Sequence, residues 1–346
     1  MSKRNTTSES EVVVITGASA GVGRATARAF AEQGAQIGLL ARGEAGLEGA
    51  RQDVEEAGGE ALTVQTDVSD PEQVEGAADA VEDVFGPIDV WVNCAMTSVF
   101  SPAAEMESDE YRRVTEVTYL GYVYGTQAAL DRMRPRDEGT IVQVGSALAY
   151  RGIPLQSAYC GSKHAIQGFT ESVRTELLHD ESSIQLSMVE MPALNTPQFE
   201  WVRSRLPKKA QPVPPIYQPE VAADAIVWTA HHDRDELWVG SSTVKAILGN
   251  RIIPRHLDRM LAESGESSQM VEEPADSNRE DNLWDPVDDD TDYGAHGNFD
   301  DRARNRSYQL WLTTHRRQLL SAVFVLFSLA ITAVLRLRGQ EESLEV

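Results

Sequence analysis

The sequence is poor in the residues that metal sites, disulfide networks and nucleic-acid surfaces need. It has two cysteines in 346 residues, Cys94 and Cys160, and neither lies at a metal-ligand spacing. We therefore expect no metal site and no disulfide framework, as is typical of proteins in a reducing compartment. Basic residues number 31 against 54 acidic ones. The formal charge of -23 would repel phosphates, so we expect no nucleic-acid partner.

The N-terminus also lacks the features of a signal peptide. Residues 1–10 are polar and lead directly into an apolar run at 12–16, with no apolar stretch of signal length and no cleavage site. We predict a flexible N-terminal segment over 1–10 and a chain that begins inside the cell.

Six short runs rich in β-branched residues alternate with segments of helix length. The runs lie at residues 12–16, 36–41, 61–66, 88–93, 140–145 and 184–190. This alternation predicts an α/β fold of the Rossmann type, a doubly wound parallel sheet with helices on both faces. We place it in a single domain over 11–262, which is an ordinary length for such a fold.

Acidic residues crowd the chain after residue 262, where aliphatic residues become few. Such a composition is typical of a solvated chain without a core. We therefore predict an acidic, disordered linker over 263–315.

The first chemical motif is TGASAGVG at 16–23, which follows a predicted strand and opens a predicted helix. Gly17 and Gly21 let the backbone approach a pyrophosphate, and Gly23 lets the helix pack closely against the sheet. The amides at the helix N-terminus would then face the negative charge. A glycine-rich loop also occurs as a structural turn, but the strand and helix context favours dinucleotide binding.

Arg42 follows the second predicted strand, where an NAD-specific protein has a carboxylate for the adenosine ribose hydroxyls. Arginine there favours a 2′-phosphate, so we predict NADP(H) as the preferred cofactor, with NAD(H) as the alternative. An ordinary surface arginine is the other interpretation. Asp67 closes the third predicted strand and either accepts a hydrogen bond from the adenine amino group or caps the helix that begins at Pro71.

The second chemical motif is YCGSK at 159–163, in which Tyr159 and Lys163 lie one helical turn apart on one face. A phenol is a weak acid-base catalyst at neutral pH, but a neighbouring ammonium stabilises the phenolate and lowers its pKa. Ser146, thirteen residues earlier at the end of a predicted strand, supplies a hydroxyl that can polarise the same carbonyl oxygen. A tyrosine and a lysine one turn apart are usually ordinary surface residues. This pair is a specific signal because it follows the glycine loop and the serine in the expected order.

Residues 11 to about 250 resemble the short-chain dehydrogenase/reductase family in its non-extended form. The resemblance rests on TGASAGVG, DV at 67–68, VNCAM at 92–96, Ser146, YCGSK and VEMPALNTP at 189–197. It implies hydride transfer between a nicotinamide cofactor and a carbonyl or carbinol carbon. It also implies that Tyr159 is the general acid or base, that Lys163 holds the nicotinamide ribose and tunes Tyr159, and that Ser146 steadies the substrate oxygen. The implied cofactor-binding residues are Thr16, Gly17, Ser19, Gly21, Val22, Gly23, Arg42, Asp67, Val68, Asn93, Tyr159, Lys163 and Thr196, the last at the carboxamide.

The chain departs from the family pattern in two places. Thr118 stands where the family has an asparagine that supports a water chain to the lysine. We keep Thr118 as a candidate catalytic residue and expect altered proton handling more than lost activity. In VNCAM, Asn93 remains, while Cys94 and Met96 replace an asparagine and a glycine, so the turn there must differ from that of the family.

Residues 194–218 fall where the family has its variable substrate lid. Five large apolar residues in it predict a lipophilic substrate, namely Phe199, Trp201, Leu206, Ile216 and Tyr217. Packing of the lid onto the domain, or an oligomer contact, explains the same residues equally well. We also expect a homo-oligomer.

An apolar segment from Leu319 to Leu335 is broken only by two serines and a threonine. As a helix it would span about 26 Å, somewhat short of a hydrocarbon core of roughly 30 Å. Flanking arginines can extend that reach, so we predict a transmembrane anchor over 316–338 and a short tail over 339–346. The excess of arginines before the segment keeps the catalytic domain on the cytoplasmic side. A buried oligomerisation helix is the alternative.

Three hypotheses for the function follow. The first is a membrane-tethered, NADP(H)-dependent carbonyl reductase or alcohol dehydrogenase for an apolar substrate. The second is a nucleotide-sensing or scaffold protein on the same fold, which the substitutions at Thr118 and Met96 suggest and the intact Tyr159 and Lys163 oppose. The third is an epimerase or dehydratase of the extended relatives, which need a larger C-terminal substrate domain than the acidic segment can supply.

Overall fold

The structure is a computed structural model and describes residues 10–276 and 278–316. Its strands are β1 (Val12–Thr16), β2 (Gln36–Ala41), β3 (Glu60–Gln65), β4 (Val90–Asn93), β5 (Val99–Phe100), β6 (Thr140–Val144), β7 (Gln185–Glu190), β8 (Arg203–Ser204), β9 (Lys208–Ala210), β10 (Glu236–Trp238) and β11 (Met270–Pro274). Its α-helices are α1 (Gly21–Ala31), α2 (Glu44–Glu56), α3 (Pro71–Phe85), α4 (Ser108–Thr115), α5 (Gly121–Met133), α6 (Ser157–His179), α7 (Gln198–Trp201), α8 (Pro219–Ala230), α9 (Gly240–Ile252), α10 (Pro254–Ser264) and α11 (Tyr308–Thr314). A π-helical turn spans Glu116–Leu120, and 3-10 turns span Arg134–Arg136, Ala147–Ala149 and Ser267–Gln269.

Seven strands in the described part of the chain form one parallel sheet, in the order β3-β2-β1-β4-β6-β7-β10. The chain runs outward in one direction from β1 to β3 and in the other from β4 to β10, so the switch point lies between β1 and β4. The predicted α/β fold with a parallel sheet is confirmed. The edge strand β10 has only three residues, too few for the sequence to show a strand period.

Successive side chains of β1 enter opposite cores. Val13 and Ile15 join a core that contains Phe30 of α1, and Val14 joins the other core with Val81 of α3. These side chains are fully buried, because helices cover both faces of the sheet. Since both faces are closed, a ligand has access to the sheet at the carboxyl ends of its strands.

The acidic segment after residue 262 is not the disordered linker that the composition predicts. Strand β11 pairs antiparallel with β9 of the lid region. Leu283 and Phe299, two of the few large apolar residues in this segment, are buried against the domain. A few well-placed apolar side chains therefore dock a chain whose average composition is typical of disorder.

The acidic side chains add a second reason for the docking, because several of them bind cations of the domain. Asp292 forms an ion pair with the nearly buried Arg24 of α1, and Asp281 pairs with Arg203 at 3.0 Å. The composition of the segment predicts that these charges are solvated, whereas in the structure they form ion pairs with the domain. We call residues 279–300 the strap.

Within the two described ranges, no helix has the length and apolar character that a membrane crossing needs. The predicted anchor over 316–338 lies outside the described residues except for Arg316, and so do the tail over 339–346 and residues 1–9.

Candidate active site

A cleft of about 420 Å³ opens at the carboxyl ends of the strands. Most of the residues predicted from the sequence line it, namely Gly17, Ser19, Gly21, Val22, Gly23, Arg42, Asp67, Val68, Ser146, Tyr159, Lys163 and Thr196. Three predicted residues, Thr16, Asn93 and Thr118, lie beneath the cleft instead. The structure thus brings the glycine loop and the tyrosine-lysine pair to the same cavity.

Helix α6 carries Tyr159 and Lys163 on the face that it turns toward the cleft. The Lys163 ammonium lies 5.6 Å from the centre of the Tyr159 ring. It donates hydrogen bonds to the Val144 carbonyl oxygen at 2.7 Å and to the Tyr122 hydroxyl at 3.0 Å. The Tyr122 hydroxyl in turn donates to the same carbonyl oxygen at 2.9 Å, so the end of β6 holds the lysine in place.

Burial controls the protonation of this pair. It lowers the pKa of Lys163 to about 8, because the ammonium loses its hydration and the nearby Cys94 and Glu190 offset this loss only in part. It also raises the pKa of Tyr159, although a hydrogen bond with Ser146 partly opposes the rise. The expectation that Lys163 lowers the pKa of the phenol is therefore not met in the protein alone. At neutral pH Tyr159 holds its proton and is ready to donate it.

Ser146 follows β6 and begins the 3-10 turn Ala147–Ala149. Its hydroxyl oxygen accepts a hydrogen bond from the Leu148 amide at 3.1 Å, which fixes the side chain. Because that bond uses a lone pair, the hydroxyl proton stays available for a second oxygen in the cleft.

Thr118 lies in the π-helical turn, fully buried. Its hydroxyl donates to the Thr97 carbonyl oxygen at 2.8 Å and accepts from the Thr97 amide at 3.0 Å. The side chain therefore braces a loop and does not reach Lys163. Tyr122, four residues later, makes the contact with the lysine, and sequence reasoning missed it. The only local signal is its helical spacing from Thr118.

The glycine loop has the shape that a pyrophosphate requires. Gly17 and Gly21 have positive φ angles of 69° and 57°, which L residues with side chains rarely adopt. A Cβ atom at Gly23 would lie 2.1 Å from the Gly17 carbonyl oxygen, so no other residue fits there. The loop brings the N-terminus of α1 directly to the cleft, and its residues fit a dinucleotide.

Thr16 and Asn93 support this loop from below. The Thr16 hydroxyl accepts hydrogen bonds from the amides of Cys94 at 3.0 Å and Ala95 at 3.1 Å. The Asn93 side chain is buried and bonds with Trp91, Gln143 and Thr126. Both residues join neighbouring strands at the floor of the site, and their side chains do not line it.

The adenosine end of the cleft is more crowded than the sequence suggests. Arg42 donates hydrogen bonds to two carbonyl oxygens of the strap, those of Trp284 at 2.7 Å and Asn282 at 2.6 Å. Burial would raise the pKa of Asp67, but its bonds with Arg113 and Ser69 lower it, so the carboxylate is ionised. Arg113 also donates to the Leu283 carbonyl oxygen at 2.9 Å and so connects Asp67 to the strap.

The strap continues along the rim of the cleft. The Gly294 carbonyl oxygen accepts a hydrogen bond from the Gly21 amide at 3.2 Å. Tyr293 packs edge-on against Trp201 of the lid, with ring centres 4.8 Å apart. Asn282, Val287 and Asp288 line the cleft itself. The strap is thus a wall of the site, which no pattern near the glycine loop could have indicated.

The far end of the cleft is largely apolar. Of the five lid residues predicted to line it, Phe199 and Trp201 do so, together with Phe100, Ile153 and Val213. Leu206 and Ile216 do not line the cleft but pack in one buried cluster with Phe199 and Phe100, and Tyr217 lies in the core of the domain. Some of the lid residues therefore line the cleft, as a substrate lid would, and others pack the lid onto the domain.

The family model for short chain dehydrogenases matches residues 11–206. The uncharacterized oxidoreductase YxnA of Bacillus subtilis is 32% identical over 330 residues, which cover 95% of this chain and 91% of the relative. A 3-dehydrosphinganine reductase of Danio rerio is 33% identical over 62% of this chain and 67% of its own length. A solved metagenomic short-chain oxidoreductase in complex with NADP has a TM-score of 0.57 and 26% identity, and it covers 67% of this chain and 98% of its own.

Proposed function

The chain belongs to the short-chain dehydrogenase family and is an oxidoreductase of CH–OH or C=O groups, and we propose that Tyr159, Lys163 and Ser146 perform its proton chemistry on a lipophilic carbonyl substrate. The observation that carries the proposal is the convergence of these three side chains on the cleft that the glycine loop also lines. Neither the loop nor the pair would be specific alone.

The cofactor is NADP(H), and the residues present fit it. The glycine loop and the N-terminus of α1 would hold the pyrophosphate. Arg42 would bind the adenosine 2′-phosphate, Asp67 the adenine and Thr196 the carboxamide. When bound, the nicotinamide supplies or accepts a hydride at its C4 atom.

The protein supplies the proton. In carbonyl reduction, the Tyr159 hydroxyl donates its proton to the substrate oxygen while hydride reaches the carbon. The Ser146 hydroxyl donates a hydrogen bond to the same oxygen and stabilises the charge that develops there. Lys163 stabilises the resulting phenolate, and its bond with Tyr122 fixes the position of the ammonium. In oxidation the same proton moves from the carbinol to the phenolate.

The apolar far end of the cleft supports a lipophilic substrate. Phe100, Ile153 and Phe199 line the same cleft as Tyr159. The Danio rerio relative is named for 3-dehydrosphinganine, and a mouse relative, 32% identical over 66% of this chain, for 3-ketodihydrosphingosine. We propose a substrate of that class, a long-chain lipid ketone or the matching alcohol.

A membrane tether would suit such a substrate. The apolar segment from Leu319 to Leu335 supports it, because its flanking arginines are typical of a membrane anchor and can extend its reach across the hydrocarbon core. Full-length protein should sediment with membranes and resist extraction by high salt, whereas protein that ends at Arg316 should stay in the supernatant. Release of the full chain by salt alone would exclude the tether.

The test of the substrate class is a series of ketones of increasing chain length, with NADPH and NADH, on the full-length protein. The full chain is needed because the strap forms part of the cleft. We expect kcat/KM to rise by up to about fourfold per methylene, which corresponds to ~0.8 kcal/mol of buried CH₂, and NADPH to be the better reductant.

Phe199→Ala should flatten the dependence on chain length, because it removes part of the apolar wall. Phe169→Ala is the matched control, since this phenylalanine packs against Tyr119 away from the cleft. If kcat/KM of the wild-type protein does not change with chain length, the proposal of a lipophilic substrate is wrong. Cofactor binding without any turnover would favour the sensor or scaffold hypothesis instead.

A further inference from the structure

The strap places a carboxylate at the adenosine end of the cleft. A Cβ atom added at Gly43 would lie 2.0 Å from Asp288 Oδ1, and one added at Gly46 would lie 2.4 Å from Asp288 Oδ2. The Asp288 side chain therefore lies directly on the backbone at the start of α2. It is buried and lines the cleft together with Ser19 and Arg42.

The glycine before α2 is required for space and not for its backbone conformation. Gly43 has a φ of -80°, which any residue adopts. What it lacks is a side chain in the place that Asp288 fills. The start of α2 is thus shaped around an acidic side chain from a segment more than two hundred residues away.

The strap also uses the hydrogen-bond donors that a phosphate would seek at this place. The amides of Ala45 and Gly46 donate to the main-chain oxygens of Asp289 at 3.2 Å and Asp288 at 3.0 Å. The Glu44 amide donates to Asp289 Oδ1 at 3.3 Å. The Arg42 guanidinium donates to two further carbonyl oxygens of the strap.

We propose that Asp288 determines the cofactor selectivity of this site, as a carboxylate that accepts a hydrogen bond from the adenosine ribose 2′-hydroxyl and repels a 2′-phosphate. The proposal rests on the proposed function, because it concerns the same dinucleotide site. Arg42 attracts the 2′-phosphate and Asp288 opposes it, so the preference for NADP(H) over NAD(H) is narrower than Arg42 alone would make it.

Capping of α2 does not explain the carboxylate. The cap is made by the main-chain oxygens of Asp288 and Asp289 and by the side chain of Asp289. Replacement of the Asp288 carboxylate by an amide of the same shape leaves all three of these bonds in place. A variant at this position therefore separates the charge from the fold of the strap.

The experiment measures binding of two fragments without nicotinamide, ADP-ribose and 2′-phospho-ADP-ribose, to the full-length protein by calorimetry. We expect Asp288→Asn to tighten the 2′-phospho fragment about tenfold relative to ADP-ribose, a change of ~1.4 kcal/mol. Asp290→Asn is the matched control, because it removes the same charge from an exposed position in the strap. The ratio of the two affinities is internal to each protein, so a partial loss of stability does not distort it.

The outcomes distinguish the inference from the proposed function. If both fragments bind and Asp288→Asn changes their ratio no more than Asp290→Asn does, the role of Asp288 is wrong while the dinucleotide site stands. If neither fragment binds the wild-type protein, the proposed function fails, and the inference fails with it.

Discussion

The two ends of the cleft are built in different ways. At the catalytic end, Tyr159 and Lys163 lie four residues apart in one helix, and Ser146 lies at the end of the preceding strand. At the adenosine end, Arg42 has its partners at Asn282 and Trp284, 240 and 242 residues along the chain. Local spacing therefore brings the proposed catalytic residues together, whereas a distant segment completes the proposed cofactor site.

The two ends also differ in their electrostatics. The catalytic end is buried, and burial lowers the pKa of Lys163 and raises that of Tyr159, so that the neutral form of each is favoured. The adenosine end carries ionised pairs such as Asp67 with Arg113. Changes at the first end should act on the rate of the chemical step, and changes at the second on the affinity for the cofactor.

The largest expected effect is at the catalytic end. Tyr159→Phe removes the proton donor and keeps the ring, so we expect kcat to fall about 10³-fold while binding of ADP-ribose stays within about twofold. Tyr119→Phe is the matched control, because its ring contact with Phe169 lies outside the cleft. A loss below about tenfold in the Tyr159 variant would mean that another group donates the proton.

Sequence reasoning predicted which residues meet at the catalytic end, because the signals there are local. All six predicted strands of the sheet are present, and the glycine loop, Ser146 and the α6 pair converge as expected. Tyr122 was missed because its helical spacing from Thr118 is too weak a signal to predict that its hydroxyl lies 3.0 Å from Lys163.

At the adenosine end, Arg42 and Asp67 were predicted to line the site, but their partners in the strap could not be, since those partners are remote in sequence. The acidic composition after residue 262 predicted disorder. An average over many aspartates cannot show that Leu283 is buried or that Asp292 pairs with Arg24. The partners of Asn93, at the floor of the site, could not be predicted from the sequence either. Its side chain is used by Trp91, Gln143 and Thr126, all partners that only the folded sheet brings together.

The next effect concerns pH and again separates the two ends. Burial lowers the pKa of Lys163 from its ordinary value to about 8, so the ammonium is present below that pH and is lost above it. We expect kcat/KM for NADPH, which reports the free enzyme, to fall about tenfold per pH unit above pH 8. Lys163→Arg should remove this fall, because a guanidinium keeps its charge.

Binding of ADP-ribose is the control for this pH profile, because the fragment contacts the other end of the cleft. Its affinity should stay level between pH 7 and pH 9. An affinity that followed the same pH dependence as the rate would show that the two ends are coupled through a shared ionisation.

The smallest effect tests whether the strap acts on affinity alone. Leu283 is fully buried beside Val99 and Val114, so Leu283→Ala should loosen the strap at a local cost of about 2–3 kcal/mol. We expect KM to rise several-fold for NADPH and NADH alike, with kcat at saturating cofactor within about twofold of the wild type. Leu178→Ala, at a side chain that is 71% exposed, is the control. An equal fall in kcat would mean that the strap also positions the reacting groups, because loss of a distant wall alone weakens cofactor binding without slowing a bound cofactor.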